Sequence, residues 1–166
     1  MQLIAGRTAQ EYNYRKKRKG AFWEDRYHAT AIDTGDYLAR CMVYIDLNMV
    51  RAGVVTKPDQ WRWCGYNEIQ TPLKRYRIID TNTLMKLFEI NNYKHFKEVH
   101  KSWVESRLKQ CGIKREAHWT NCLAIGEENY IIKIKNQLNI DGRYKSIIKD
   151  DDTFRLEEPT LSYTYF

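Results

Sequence analysis

Tyr44-Ile45-Asp46-Leu47-Asn48-Met49-Val50-Arg51-Ala52-Gly53 is the stretch from which the fold is read. Between Asp36 and Ala52 there is neither proline nor glycine, Asp33 or Thr34 can cap the start, and Gly53 supplies a stop, so the pattern predicts one helix. Leu38, Cys41, Met42, Ile45 and Met49 recur at helical spacing and predict a core-facing stripe. Arg40, Tyr44, Asn48 and Arg51 recur at the same spacing on a neighbouring, polar face. A phenol flanked by guanidinium groups and a carboxamide suits phosphate chemistry. The arginines bind and neutralise phosphate, and an amide oxygen can ligate a hard cation. The same spacing fits a boundary tyrosine with a buried ring and a wet hydroxyl, which is the commoner case on amphipathic helices, and the residues alone leave both readings open.

The 166 residues, 43% of them hydrophobic, can bury one core, with or without an appendage, and an aromatic content of 13% argues against disorder. With 28 Lys and Arg against 21 Asp and Glu, the net charge of +7 attracts polyanions. That charge is concentrated in Arg15, Lys16, Lys17, Arg18 and Lys19, followed closely by Phe22, Trp23, Arg26 and Tyr27. Cations beside rings suit single-stranded or hairpin DNA, because the cations neutralise phosphates while rings stack on unpaired bases. A solvated loop is the plainer reading of the run, and core is the expectation for Trp23. No run of eighteen apolar residues and no signal-peptide pattern occurs, so no membrane is expected and a cytoplasmic protein is.

Cys41, Cys64, Cys111 and Cys122 are too widely spaced for a zinc knuckle or a redox pair, and free buried thiols are expected. His28, His95, His100 and His118 are scattered, and surface or boundary positions are expected for them rather than a metal site. Asp150, Asp151 and Asp152 are read as a solvated run before a cation site. Internal repeats, a glycine-rich phosphate loop and a Ser-His-Asp order are all absent from the sequence.

Around the central helix, the pattern predicts a helix from Gln2 to Arg15 and an extended stretch from Gly20, with Phe22, Arg26, His28, Thr30 and Ile32 alternating against Trp23, Tyr27, Ala29 and Ala31. A turn at Lys57 to Gln60 follows the central helix. Beyond Thr71-Pro72 the chain reads as short helices: Asp80 or Thr81 capping one that runs to Glu89, then Tyr93 to Lys109, then Glu127 to Leu138.

Gly20 to Tyr27, Asp36-Tyr37-Leu38, Tyr44 to Val55 and Trp61-Arg62-Trp63-Cys64-Gly65-Tyr66, taken in that order, resemble the C-terminal half of the REP-associated tyrosine transposases, which are single-tyrosine HUH transposases. The resemblance covers residues 1–70 and implies an α+β fold: an incomplete HUH-transposase-like, ferredoxin-like half-domain, with a helical C-terminal extension over residues 71–166. Lys114 to Trp119 with Leu123 to Gly126 resembles the extension of longer members, for which no chemistry is assigned.

The resemblance implies Tyr44 as the nucleophile on a DNA phosphodiester, forming a 5′-phosphotyrosine link, and Asn48 as a ligand of Mg²⁺ or Mn²⁺. Arg40 and Arg51 are inferred from their shared face to stabilise phosphate charge, and Arg15 to Lys19 with Arg26 to contact DNA. The family's metal-holding His-hydrophobic-His pair has no counterpart here, and Met1 to Asn13 resembles a helix from the middle of the family domain. The chain is therefore expected to begin inside the fold, to be inactive alone, and to leave the edge of its strand exposed or covered by a partner. A homodimer mate or a complete transposase subunit is the expected protein partner. Met49 replaces the family's usual proline, predicting a straighter helix end, and Cys64-Gly65 replaces two serines. A catalytically dead module that binds hairpin DNA, or a decayed fragment of marginal stability, are the alternatives.

Overall fold

The computed structural model describes residues 2–23, 28–74, 76–110, 115–138, 142–150 and 153–158. Its helices are α1 (Gln2–Arg15), α2 (Asp36–Asp46), α3 (Asn48–Arg51), α4 (Gly65–Gln70), α5 (Thr81–Leu87), α6 (Tyr93–Lys109), α7 (His118–Asn121) and α8 (Glu128–Gln137). Its strands are β1 (Ala31–Ile32), β2 (Ala124–Gly126), β3 (Ser146–Asp150) and β4 (Thr153–Glu157), which form one sheet in the order β1-β2-β4-β3. The α+β class expected from sequence is therefore observed. No helix among the described residues is long and apolar enough to cross a membrane.

The predicted central helix is present as α2 and α3, joined at Leu47, where ψ turns to 6°. Hydrogen bonding carries through the joint: Leu47 N–H donates to Val43 O at 3.0 Å and Arg51 N–H to Leu47 O at 2.9 Å. The helix ends as expected. Gly53 takes φ 70°, its N–H donates to Val50 O, and Val54 N–H donates to Met49 O, the paired bonds of a Schellman stop. Its start differs, because Gly35 occupies the cap position with φ 66° and no side chain caps the helix. Asp33 instead accepts from Thr34 N–H at 2.8 Å and from Glu127 N–H at 3.1 Å, joining the end of β1 to the start of α8.

The expected stripe is also rotated. Ala39, Cys41, Val43, Asp46 and Leu47 are the buried positions, while Ile45 is 60% exposed. Val43 and Leu47 pack against Val104 of α6, and Phe96 of α6 and Ile69 of α4 are fully enclosed. Asp46 is drawn inward by His100 of α6, which is 0% exposed and lies 2.9 Å from Asp46 Oδ2 through Nε2. Gln70 of α4 donates from Nε2 to Lys97 O at 3.0 Å and to His100 Nδ1 at 3.2 Å. With Nδ1 accepting, the ring proton sits on Nε2 and points at the carboxylate. The Cys64 thiol completes the network by donating to Asp46 O at 3.4 Å and Oδ1 at 3.5 Å. A Cβ on Gly65 would come within 3.3 Å of the same Oδ1, so the Cys64-Gly65 pair leaves room for the buried carboxylate. His100 is thus a core residue and not the surface or boundary residue expected.

The strand expectations need three corrections. Of the alternating stretch from Gly20, Ala31 and Ile32 are the residues in a strand. Phe22 folds back onto Tyr12 at 4.7 Å between ring centroids, and the Trp23 indole donates to Ala5 O at 3.0 Å, so this segment packs on α1. Trp23 is 51% exposed, not core. Residues 24–27, including Arg26, lie outside the described residues.

One edge of β1 pairs within this chain, parallel to β2 through Ala31↔Ala124 and Ile32↔Ile125, while its other edge, at the end of the sheet, has no strand partner among the described residues. The region after residue 71 is not purely helical, because β2, β3 and β4 come from it. Apolar residues make these strands: β4 alternates Phe154 and Leu156 and pairs antiparallel with β2 and β3, while Leu156 joins Ala124 and Ile131 beneath α8. Gly126 ends β2 where a Cβ would meet Asp33 Cβ at 2.5 Å and Tyr130 Cδ1 at 2.6 Å, so a side chain there would push β1 and α8 apart. Asp151 and Asp152 of the expected acidic run lie outside the described residues.

Truncating one partner of the Asp46–His100 pair leaves the other polar group buried and unpaired. Asp46→Ala is expected to lower unfolding stability by about 3 kcal/mol in a urea titration. A loss below about 1 kcal/mol would show that the network contributes little.

Candidate functional site

The polar face of α2 and α3 opens on a cavity of about 470 Å³, walled on the other side by α6. That volume lies in the lower part of the range for ligand pockets. Arg40, Tyr44 and Arg51, predicted to share a face, line it, whereas Asn48, predicted on the same face, does not. Trp103 and Arg107 from α6 and Glu116 from the segment before α7 complete the polar and aromatic wall.

Tyr44 is half-buried and its ring is held on two sides. Its apolar edge packs into the cluster of Cys41, Trp119, Cys122 and Ile125, with the Trp119 ring at 6.0 Å. The Arg51 guanidinium carbon sits 3.7 Å from the ring centroid, a close cation–π contact. Arg51 is itself fixed: Nη1 donates to Tyr44 O at 2.8 Å and Nη2 to Asn48 Oδ1 at 3.1 Å. Tyr44, Asn48 and Arg51 therefore form one unit in which a single guanidinium orients a phenol and a carboxamide.

Asn48 Oδ1, the atom that would ligate a cation, already accepts from a cation. Among the described residues, no three His, Cys, Asp or Glu side chains group where they could hold a metal ion. What the pocket supplies is a phenol beside three arginines, Arg40, Arg51 and Arg107, set against two carboxylates, Asp36 and Glu116, a net positive lining that can bind a phosphate oxygen and offset charge at phosphorus.

Arg107 was missed in the sequence, where it is one cation on an amphipathic helix. It enters the pocket because α6 packs along α2, and it pairs with Glu116 and, through Nη1, with Gln110 Oε1 at 2.5 Å. Glu116 also accepts from the Trp119 indole at 2.7 Å, so its charge is turned toward its neighbours. His118 lies 3.6 Å from Glu116, and burial is the main cause holding its pKa below the usual histidine value, with Glu116 opposing.

The basic run is placed apart from this cavity. Arg15 ends α1 and pairs with Glu11 at 3.1 Å, both side chains being at least 70% exposed, which makes the pair worth little. Lys16, Lys17, Arg18 and Lys19 are exposed, and none of these five residues lines the cavity beside Tyr44. The Arg18 guanidinium, from the segment after α1, stands 5.9 Å over the Tyr12 ring of α1. Arg62 over the exposed Trp63 ring, at 4.7 Å, forms a second such pair.

Cys64, Asp46 and His100 bring a thiol, a carboxylate and an imidazole together without making a nucleophile. The carboxylate lies between the other two, so His100 is not the thiol's hydrogen-bond partner. Burial, reinforced by the Asp46 charge, pushes the Cys64 thiol up to about 12.

No family model, curated protein or solved structure matches the chain.

Burial likewise raises Cys41 to about 11 and Cys122 to about 12. At about pH 8 each thiol is then ionised to about one part in a thousand or less. Cys41, Cys64 and Cys122 are expected to stay unmodified by iodoacetamide in the native protein and to react in urea, as read by peptide mass spectrometry. Rapid native labelling of Cys64 would contradict its place in the buried network.

Proposed function

We propose that this chain is a DNA-binding, transposase-like protein that acts on single-stranded or hairpin repeat DNA, with Tyr44 as the tyrosine nucleophile of the complete enzyme. The observation that supports this most is the half-buried Tyr44 ring clamped by Arg51 in a cavity that Arg40 and Arg107 also line. In the proposed reaction the Tyr44 oxygen attacks phosphorus and forms the tyrosine–phosphate bond. The phenol gives up its proton to solvent as the bond to the departing 3′ oxygen breaks, and that oxygen takes a proton from solvent and leaves as a hydroxyl. The 5′-phosphotyrosine link conserves the bond for rejoining, so no nucleotide cofactor is required. Arg51 orients the phenol, and Arg40 and Arg107 offset charge on the non-bridging oxygens.

Mg²⁺ or Mn²⁺ belongs to the complete enzyme in this reading. The present residues do not fit it, since Asn48 is engaged by Arg51 and no His-x-His pair occurs in the chain. The chain is therefore proposed to bind DNA in the cytoplasm without cleaving it alone, the missing ligands coming from a complete transposase subunit or another copy. The exposed cations of α1 and the following loop are proposed to add sequence-independent attraction.

A catalytically dead hairpin-binding module is the second reading, favoured by the occupied Asn48 oxygen. The two separate when the chain is incubated with labelled hairpin DNA and Mn²⁺, with and without a complete tyrosine transposase subunit whose own tyrosine is changed to phenylalanine. Salt-sensitive binding without a covalent adduct is expected for the chain alone. An adduct that survives denaturation is expected with the added subunit and is lost in Tyr44→Phe. No adduct under either condition, with binding retained, leaves the dead module. Absence of salt-sensitive binding would overturn both readings.

A further inference from the structure

A second cavity of about 280 Å³ adjoins the first, and Arg40 and Glu116 line both. Its far wall comes from the β3–β4 pair, through Asp150, Thr153 and Arg155, and from His118 and Trp119 of α7. The C-terminal region thus contributes a wall to a cavity adjacent to the one beside Tyr44, with Arg40 and Glu116 at their border.

Charge compensation is uneven across the two cavities. Arg51 is engaged with Asn48 and Tyr44, Arg107 with Glu116, and Arg155 with Asp150 at 3.1 Å. Glu116 and Asp150, the carboxylates lining the second cavity, are therefore both already paired. Arg40, at the junction, is exposed; among the described residues it has no ion pair, and its contact is the Tyr37 ring at 5.9 Å. A second donor is also left over. The Arg155 Nε–H is buried without a hydrogen-bond acceptor among the described residues, since Glu157 Oε1 stands 3.7 Å away. A buried guanidinium donor without an acceptor is costly, and an anionic ligand oxygen would satisfy it.

We infer that one single-stranded DNA segment runs through both cavities, with the phosphate next to the one at Tyr44 held between Arg40 and Arg155. Arg40 is the shared contact, and β4 is part of the DNA interface. The inference rests on the reading of the Tyr44 cavity as a phosphodiester site and extends it to a stretch of strand. It also gives the region after residue 71 a role in binding: the sheet that completes β1 carries the second phosphate contact.

The test is fluorescence anisotropy with a labelled hairpin DNA, either bare or carrying short single-stranded extensions at both ends, over a series of NaCl concentrations. For the wild-type chain, the extensions are expected to tighten binding. Arg155→Gln is expected to weaken the extended hairpin about fivefold and to lower its salt slope by about 0.7, the value for one phosphate contact on a single strand. The bare hairpin should lose less, and Arg155→Lys should recover the slope. Arg155 also pairs with Asp150, so a thermal melt accompanies each variant. If Arg155→Gln does not melt cooperatively, Arg40→Gln, at an exposed position, serves in its place and should weaken the extended hairpin more than the bare one.

Equal losses on both DNAs, or none, would overturn the inference. Extensions that add nothing to a hairpin bound by the wild type would overturn it alone, whereas failure to bind either hairpin would also remove the reading on which it rests.

Discussion

The hydrogen bond between Asp46 and His100 is the constraint on which the rest of this structure depends. It lies in the packed centre and connects α2 to α6, while Gln70 and Cys64 attach α4 and the segment before it to the same pair. A carboxylate and an imidazole are kept out of water here only because each has a partner of the right geometry. The bond sets how α2 is rotated: with Asp46 turned inward, Ile45 faces out and Tyr44 is carried to the side where α6 presents Trp103 and Arg107. The cavity beside Tyr44 is a consequence of that rotation.

Around this centre the chain closes on itself more fully than its resemblance implied. The short strand β1 finds its partner in β2, and Asp33 pins the junction by accepting from Glu127. The two regions that the resemblance separated at residue 70 share a sheet, and both line the cavities flanking Arg40. Positive charge is arranged at two levels. The exposed cations after α1 are free to act over distance, whereas Arg51 and Arg107 are locked by hydrogen bonds and act only on what enters the pocket.

What was legible in the sequence is what local geometry fixes. Four residues at helical intervals must share a face, so Arg40, Tyr44, Asn48 and Arg51 could be grouped, and Gly53 could be recognised as a stop, without any knowledge of the surroundings. The α6 helix and the Asp80 cap of α5 follow the same local rules. What was not legible depends on residues far apart in the chain. Nothing within α2 distinguishes Asp46 from a surface aspartate, because the reason for its burial is a histidine 54 residues later. Arg107 and Arg155 are ordinary cations until packing brings them to the cavities. β1 and β2 are too short to carry a periodic signal of their own, and they exist because each completes the other's hydrogen bonding. Asn48 shows the same limit from the other side. Its spacing groups it with Tyr44 and Arg51, yet it is not among the residues that line the cavity, and its side-chain oxygen accepts from the arginine three residues on.

The central claim is that DNA phosphates enter the arginine-lined cavity beside Tyr44. Hydrogen–deuterium exchange of the full chain, with and without hairpin DNA, tests it most directly. The account predicts slowed exchange in Arg40 to Arg51 and in Trp103 to Arg107 when DNA is bound. Protection confined to Arg15 to Lys19, with the Tyr44 helix unchanged, would contradict it and leave the cavity without a part in binding.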